Sequence, residues 1–281
     1  MDLNKVKQIL KDNNLNAKKQ FGQNFLVDNN ILNKIAHGAS INEDTVIVEI
    51  GPGMGALTEK LLEKAKKVIC YEIDTDMVYI LQNRFESYIN EGKLVINHKD
   101  FLKANLEKDL DGYKNVKVVA NLPYYITTPI LIKICEELTE LDEMIVMMQK
   151  EVALRICGKP STKDYNALSV LIQYNHKAEL LFDVGRGCFY PEPDVTSSIV
   201  KIKKIESNIK PLNEDFFFSF NRNIFKQRRK TLVNNLKQSY NYTKEQIEDT
   251  LNKLNLSLTV RSEALSVNEI INLADEFYKL K

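Results

Sequence analysis

A chain of 281 residues, 44% hydrophobic and 27% charged, is long enough for one full α/β domain with a smaller second one and too apolar to stay disordered. Thirty-nine basic against 38 acidic residues leave a net charge of +1, so any nucleic-acid-binding surface has to be local. Cys70, Cys135, Cys157 and Cys188 include no Cys-x-x-Cys pair, and His37, His98 and His176 are scattered, which argues against a zinc site or a disulfide framework and for a reducing compartment.

Residues 1–20 interleave Lys, Asn and Asp with short apolar runs and hold no signal-peptide core. Nowhere does the chain approach the roughly 20 apolar residues of a membrane span. A cytoplasmic protein is expected. From Thr45 the pattern is strand (Thr45–Ile50), helix (Leu57–Lys66), strand (Lys67–Tyr71), a βαβ opening. The turn after the first strand reads Glu49-Ile50-Gly51-Pro52-Gly53-Met54-Gly55. Its G-x-G-x-G spacing differs from the G-x-G-x-x-G of dinucleotide binders. Either it is a plain tight turn, or Gly51 and Gly53 let the backbone approach a ligand at a helix N-terminus.

The second strand ends in Glu72-Ile73-Asp74, where Glu72 is placed to accept from ribose hydroxyls and Asp74 suits a helix cap. A helix is expected over 75–89 and a third strand over Lys93–Asn97, followed by Asp100-Phe101. Asp100 is a candidate acceptor for a cofactor adenine amine or, again, a cap. Glycine or acidic features at three successive strand ends favour a ligand, because ligands of such sheets bind outside the carboxyl ends of the strands.

The fourth strand, Val116–Ala120, runs into Asn121-Leu122-Pro123-Tyr124-Tyr125. This segment resembles the (Asn/Asp/Ser)-Pro-Pro-Tyr signature of amino methyltransferases, which use S-adenosylmethionine. The chemistry explains the residue types. An adenine amine is a poor nucleophile because its lone pair is delocalised, so acceptors such as the Asn121 side-chain oxygen and the Leu122 carbonyl favour a pyramidal nitrogen. Pro123 stiffens the turn and holds that carbonyl. Tyr124 stacks on the base and tolerates positive charge beside it. A plain strand-to-helix turn is the alternative.

Helices follow at 128–138 and 165–175 and strands at Met144–Met148, Leu180–Val184 and Ser197–Ile202, with an exposed loop at Ile156–Lys163. The last two strands have no helix between them and suit an antiparallel edge. After Lys201 a charged connector leads to helical periodicity at 214–239, 243–254 and 266–279. Between Phe216 and Lys244 stand Arg222, Lys226, Arg228, Arg229, Lys230, Lys237 and Lys244 with no acidic residue. If the segment is helical, Arg222, Lys226, Arg229, Lys230 and Lys237 share one side beside an apolar stripe of Phe218, Phe225, Leu232 and Leu236. That face suits RNA phosphates, a solvated charge run being the alternative; Lys18 and Lys19 extend the same footprint.

Together these segments resemble the ribosomal RNA adenine dimethyltransferase family (KsgA-type) over nearly the whole chain. The carrying motifs are Lys18–Leu26, the glycine turn through Leu57-Thr58, Glu72-Ile73-Asp74, Asn121–Tyr124, Phe189–Ser197, and Arg228–Leu232 with Asn234-Asn235-Leu236. The resemblance implies a Rossmann-like, mainly parallel α/β sheet with an antiparallel edge strand (residues 1–205) and a small all-helical RNA-binding domain (206–281). It implies S-adenosylmethionine held by Gln23, Asn24, Leu26, Gly51, Gly53, Glu72, Ile73, Asp100, Phe101 and Asn121. Reaction would occur at Asn121, Leu122, Pro123 and Tyr124, with Phe189 as the facing wall of the base pocket; on chemistry alone Phe189 is equally a core residue. The implied substrate is a pair of adjacent adenosines in a hairpin loop near the 3′ end of small-subunit ribosomal RNA, in an immature 30S particle. An unpaired loop base costs little to extrude. A monomer without metal or membrane is expected. An Erm-type large-subunit RNA methyltransferase and a non-catalytic assembly or nucleic-acid-binding factor are the competing readings.

Overall fold

The structure, a computed structural model, describes residues 1–18, 22–138, 141–205 and 209–281. Two compact units make up the chain: Met1–Ala153 with Glu179–Lys204, and Leu154–Ala178 with Ile205–Lys281. The expected division at 205/206 therefore shifts, because residues 154–178 go with the helical unit. Their apolar side chains explain it: Tyr165, Val170 and Tyr174 belong to that unit's core.

The chain runs through α1 (Leu3–Asp12), β1 (Phe25–Leu26), α2 (Asn29–Gly38), β2 (Val46–Ile50), α3 (Ala56–Leu62), β3 (Lys67–Glu72), α4 (Thr75–Arg84), α5 (Glu86–Asn90), β4 (Leu94–His98), α6 (Leu106–Asp109), β5 (Val116–Asn121), α7 (Thr127–Glu137) and β6 (Glu143–Gln149). It continues through α8 (Lys150–Ile156), α9 (Ala167–Asn175), β7 (His176–Val184), β8 (Phe189–Tyr190) and β9 (Ser197–Lys204). The last four helices are α10 (Glu214–Ile224), α11 (Leu232–Ser239), α12 (Lys244–Lys253) and α13 (Val267–Tyr278).

In the first unit seven strands form one sheet in the order β4-β3-β2-β5-β6-β9-β7. The pairs β2·β3, β2·β5, β3·β4 and β5·β6 are parallel, and β9 joins β6 antiparallel, as the missing helix before it predicts. Every residue of β2 is buried, the pattern of a strand covered on both faces. Leu32, Leu61, Val68, Val119, Ile145 and Ile199 build one core cluster. Because β2 and β5 are adjacent and parallel, their carboxyl ends emerge side by side, which brings the glycine turn next to Asn121.

Helices α1, α2, α6 and α8 were not legible in the pattern. In α1 the buried residues are Val6 and Leu10, one turn apart, under an Asp2 cap; in α2 Asp28 caps the backbone N–H of Asn30 and Ile31. The expected helix over 75–89 divides at Phe85 into α4 and α5, since Phe85 leaves helical geometry (φ −120°, ψ 27°).

In the second unit α9 to α13 pack around Phe217, Phe220, Ile224, Leu232, Leu236 and Phe277. The helix expected over 214–239 is broken: α10 stops at Ile224 and α11 starts at Leu232. The reason is long-range polar satisfaction. Asn235, 2% exposed, donates to the Ile224 carbonyl (2.8 Å) and the Gln227 carbonyl (3.2 Å), and Ser262 also donates to Ile224 (2.7 Å). With Thr231 capping α11, residues 225–231 form a loop. The single helical face proposed from spacing is thus replaced by a basic loop flanked by two helices.

Candidate active site

The sheet's strand ends open into a cleft of about 340 Å³, within the range of small-molecule sites. On one side lies the glycine turn. Gly51, Gly53 and Gly55 all have positive φ (66°, 56° and 79°), and Gly51 donates its N–H to the Tyr71 carbonyl (2.9 Å). Position 55 requires glycine twice over. Besides its φ, a Cβ there would lie 2.4 Å from the Phe85 ring. At Gly53 a Cβ would approach the Phe25 ring to 3.2 Å, so the turn and β1 touch.

Glu72 ends β3 and is 6% exposed. Its carboxylate accepts the backbone N–H of Gly53 (3.0 Å), Ile73 (2.9 Å) and Asp74 (2.9 Å) while still lining the cleft. Burial raises its pKa, opposed by those three donors. Ile73, 43% exposed, and Asp100 also line the cleft. Asp100 caps the helical turn Phe101–Lys103 through Leu102 (2.9 Å) and also lines the cleft. Phe101 does not. It is buried against Tyr71, edge to face at 5.2 Å, and Leu102 lines the cleft instead.

Beside the glycine turn stands the quartet. Asn121 ends β5, and Leu122 continues the ladder by donating to the Met147 carbonyl (3.0 Å). Pro123 (φ −60°, ψ 125°) starts a short helical turn over Tyr124–Ile126, pinned when Thr127 donates to the Pro123 carbonyl (2.9 Å). A Cβ at Gly51 would sit 3.5 Å from the Pro123 ring, so the two turns are in contact. Among the described residues, neither the Asn121 side-chain oxygen nor the Leu122 carbonyl accepts a hydrogen bond, leaving both available to the cleft. Tyr124, half-buried, is hydrogen-bonded through its hydroxyl to Ser197 at the start of β9.

The N-terminal segment closes one edge. Gln23, Asn24 and Leu26 line the cleft, and β1 pairs antiparallel with β8, Leu26 opposite Phe189. Phe189 does not line it: at 3% exposed, the ring lies in the core cluster with Leu26 and Val184. The core alternative thus describes its position. Lys18 is also placed otherwise than expected. Its ammonium contacts Asp74 and Asp76 (2.6 Å each), and Gln23 donates to Asp74 (2.7 Å), so Lys18 anchors the segment rather than projecting a charge. Lys19 lies outside the described residues. In the second unit Lys226, Arg228, Arg229 and Lys230 are exposed on the 225–231 loop, and Arg222 is exposed on α10. Arg228 donates to the Thr162 carbonyl (3.3 Å), whereas Lys226, Arg229 and Lys230 have no ion-pair partner among the described residues.

Several cleft residues were given no role by the sequence reading, two of them bearing polar groups of interest. Tyr125 is one. Glu49 is the other, in the glycine motif but inside a strand; its carboxylate is 1% exposed, accepts from Thr58 (2.6 Å) and lies 3.6 Å from the Cys70 sulfur. Burial pushes its pKa up to about 7, helped by Glu72 and opposed by Thr58 and Cys70. The folded state therefore keeps a proton that the unfolded chain releases near 4.5. Stability from this group is greatest below that value and is lost as pH rises through about 7. Thermal melts of wild type and Glu49→Gln should accordingly differ in slope over that window, the variant being the flatter; parallel curves would refute it.

The donor set fits S-adenosylmethionine: carboxylates at two strand ends for ribose hydroxyls and adenine amine, glycine backbone close by, and apolar walls from Leu26 and Ile50. Fold and cleft together define a Rossmann-like, S-adenosylmethionine-dependent methyltransferase with the Asn121–Tyr124 segment lining its cleft. The ribosomal RNA adenine dimethylase profile matches residues 14–279, and the chain belongs to that family. It is 42% identical to ribosomal RNA small subunit methyltransferase A of Lactococcus lactis, over 99% of this chain and 95% of that protein. The protein of the same name from Streptococcus pneumoniae is 43% identical, with 98% and 96% covered. Among solved structures, a dimethyladenosine transferase from Plasmodium falciparum superposes with a TM-score of 0.74 at 29% identity, covering 91% of this chain and 98% of that one. The 23S rRNA methyltransferase ErmE shares the fold (TM-score 0.66, 23% identity, 90% and 99% covered). This chain is an rRNA adenine methyltransferase.

Proposed function

We propose that the chain dimethylates the N6 amines of two adjacent adenosines in the 3′-terminal hairpin loop of small-subunit rRNA, acting in the cytoplasm as a monomer on the immature 30S particle. The observation that carries the reaction is the pair of acceptors, Asn121 and Leu122, unpartnered among the described residues and lining the same cleft as Glu72 and Asp100. When bound, S-adenosylmethionine supplies an electrophilic methyl group on a sulfonium. Gly51, Gly53, Glu72, Ile73 and Asp100 would hold it, with Gln23, Asn24 and Leu26 at the edge. Asn121 and Leu122 accept the two amine protons of the target adenine, which directs the nitrogen lone pair outward. Pro123 keeps the Leu122 carbonyl in position. Tyr124, restrained by Ser197, presents its ring to the base. Each transfer would form one N–C bond as the methyl's bond to sulfur breaks and the sulfur departs as a neutral thioether, after which the amine loses a proton to solvent, so no strong base is needed.

Small-subunit RNA is preferred because the relatives at 42 and 43% identity carry that substrate in their names. The likeness to the 23S enzyme, at 23% identity, speaks for the fold alone. The exposed 225–231 loop supplies cations for RNA phosphates. Replacing Arg229 and Lys230 with Glu should weaken RNA binding and reduce the salt slope by about one per residue, checked by titrations at several salt concentrations. An unchanged slope would dismiss the loop. The function itself is tested by incubating the protein and radiolabelled S-adenosylmethionine with immature small subunits and with large-subunit RNA. Label is expected in N6,N6-dimethyladenosine of the small-subunit RNA, and label in large-subunit RNA alone would overturn the assignment.

A further inference from the structure

Tyr124 and Tyr125 are neighbours on one short helical turn, where successive side chains diverge by about 120°. The two rings accordingly meet different surroundings. Tyr124 is tied through its hydroxyl to Ser197 on β9. Tyr125 is 52% exposed, a large aromatic left open to solvent, and it lines the same cleft as Glu72 and Asp100. Those two carboxylates are felt at its phenol, whose pKa is raised first by burial and then by Asp100 and Glu72. Its ring edge also meets the N-terminal segment: a Cβ on Gly22 would lie 3.5 Å from Tyr125 Cδ1. The ring thus stands beside the groups proposed to hold the cofactor nucleoside.

We propose that Tyr125 is a cofactor-binding residue, its ring covering the adenosine half of S-adenosylmethionine, so that the consecutive tyrosines divide the site between target base (Tyr124) and cofactor nucleoside (Tyr125). The inference rests on the cofactor site proposed above. An aromatic face against a nucleobase gains from stacking and from excluded water whichever way the base edge points, and needs no hydroxyl. A phenylalanine ring at this position would therefore serve as well as the tyrosine, and an aliphatic side chain would not.

Calorimetric titration with S-adenosylhomocysteine tests this on the wild type, Tyr125→Phe, Tyr125→Leu and Tyr125→Ala, with RNA affinity measured on the same proteins. Tyr125→Phe should bind like the wild type. Tyr125→Ala should bind about tenfold more weakly or worse, with Tyr125→Leu intermediate and RNA affinity unchanged. The same factor should be lost for 5′-methylthioadenosine, which lacks the amino-acid tail. Wild-type affinity in the Ala variant, or a loss confined to RNA binding, would overturn the assignment. A loss confined to the full cofactor would overturn its adenosine half. Should the wild type itself fail to bind S-adenosylhomocysteine, the proposed cofactor site falls instead.

Discussion

Asn121→Ala should bind S-adenosylhomocysteine as the wild type does and lose about two to three orders of magnitude in single-turnover methyl transfer, the usual cost of deleting one preorganised hydrogen-bonding group at a reacting centre. The asymmetry follows from position. Asn121 stands at the last residue of β5, held by the ladder to β6, and its side-chain oxygen takes no hydrogen bond among the described residues. Removing it leaves no internal donor stranded, so the fold loses little. The Leu122 carbonyl, set by Pro123, remains as the second acceptor, which is why residual transfer is expected. Asn121→Asp keeps an acceptor of similar shape and should fall between. Equal losses in cofactor affinity and transfer would reassign Asn121 to the cofactor.

Glu72→Ala should fail differently, losing both cofactor affinity and stability. The carboxylate satisfies the N–H groups of Gly53, Ile73 and Asp74 in a nearly closed site, so truncation strands up to three donors. Each stranded group costs on the order of 1–3 kcal/mol unless water reaches it, so a destabilisation of at least about 2 kcal/mol is expected in denaturant titration. The glycine turn loses its tether at Gly53, and, in the binding mode proposed above, the cofactor loses a ribose acceptor. Affinity for S-adenosylhomocysteine, measured well below the melting temperature, should drop on the order of a hundredfold, about 2.7 kcal/mol. Unaltered affinity in a destabilised variant would leave Glu72 a purely structural role. Glu72→Gln is the sharper comparison: its amide N–H₂ must face at least one backbone donor, so charge and acceptor count fall together.

Much of the first unit was legible because its signals are local. Three glycines at alternate positions after an apolar run describe a turn with positive φ, and the structure has positive φ at all three. The strands near 46, 67, 94, 116 and 144 follow from runs of β-branched and aliphatic residues that a doubly covered sheet demands. Less legible were the aromatics. Phe101 and Phe189 each adjoin a site motif, and adjacency in sequence does not reveal whether a ring turns toward a cavity or into the core. Both turn into the core. Tyr125, which follows the quartet, lines the cleft. Lys18 was equally ambiguous, since a lysine's partner is chosen by folding; here buried Asp74, more than fifty residues on, selects it.

By itself the sequence determined the class of chemistry: the order of strands and turns, the acidic and glycine groups at their carboxyl ends, and the acceptor–proline–aromatic segment Asn121–Tyr124 after the fourth strand. These are properties of short segments, set by backbone preference and by the rule that ligands bind beyond strand ends. Only the tertiary structure decided that α9 belongs with the helical unit, that Asn235 and Ser262 interrupt the basic helix at Ile224, and that burial pushes the Glu49 carboxyl up to about 7 in the cleft. Each of these depends on which distant group satisfies a buried polar atom or covers an apolar face, and periodicity along the chain carries no record of that choice.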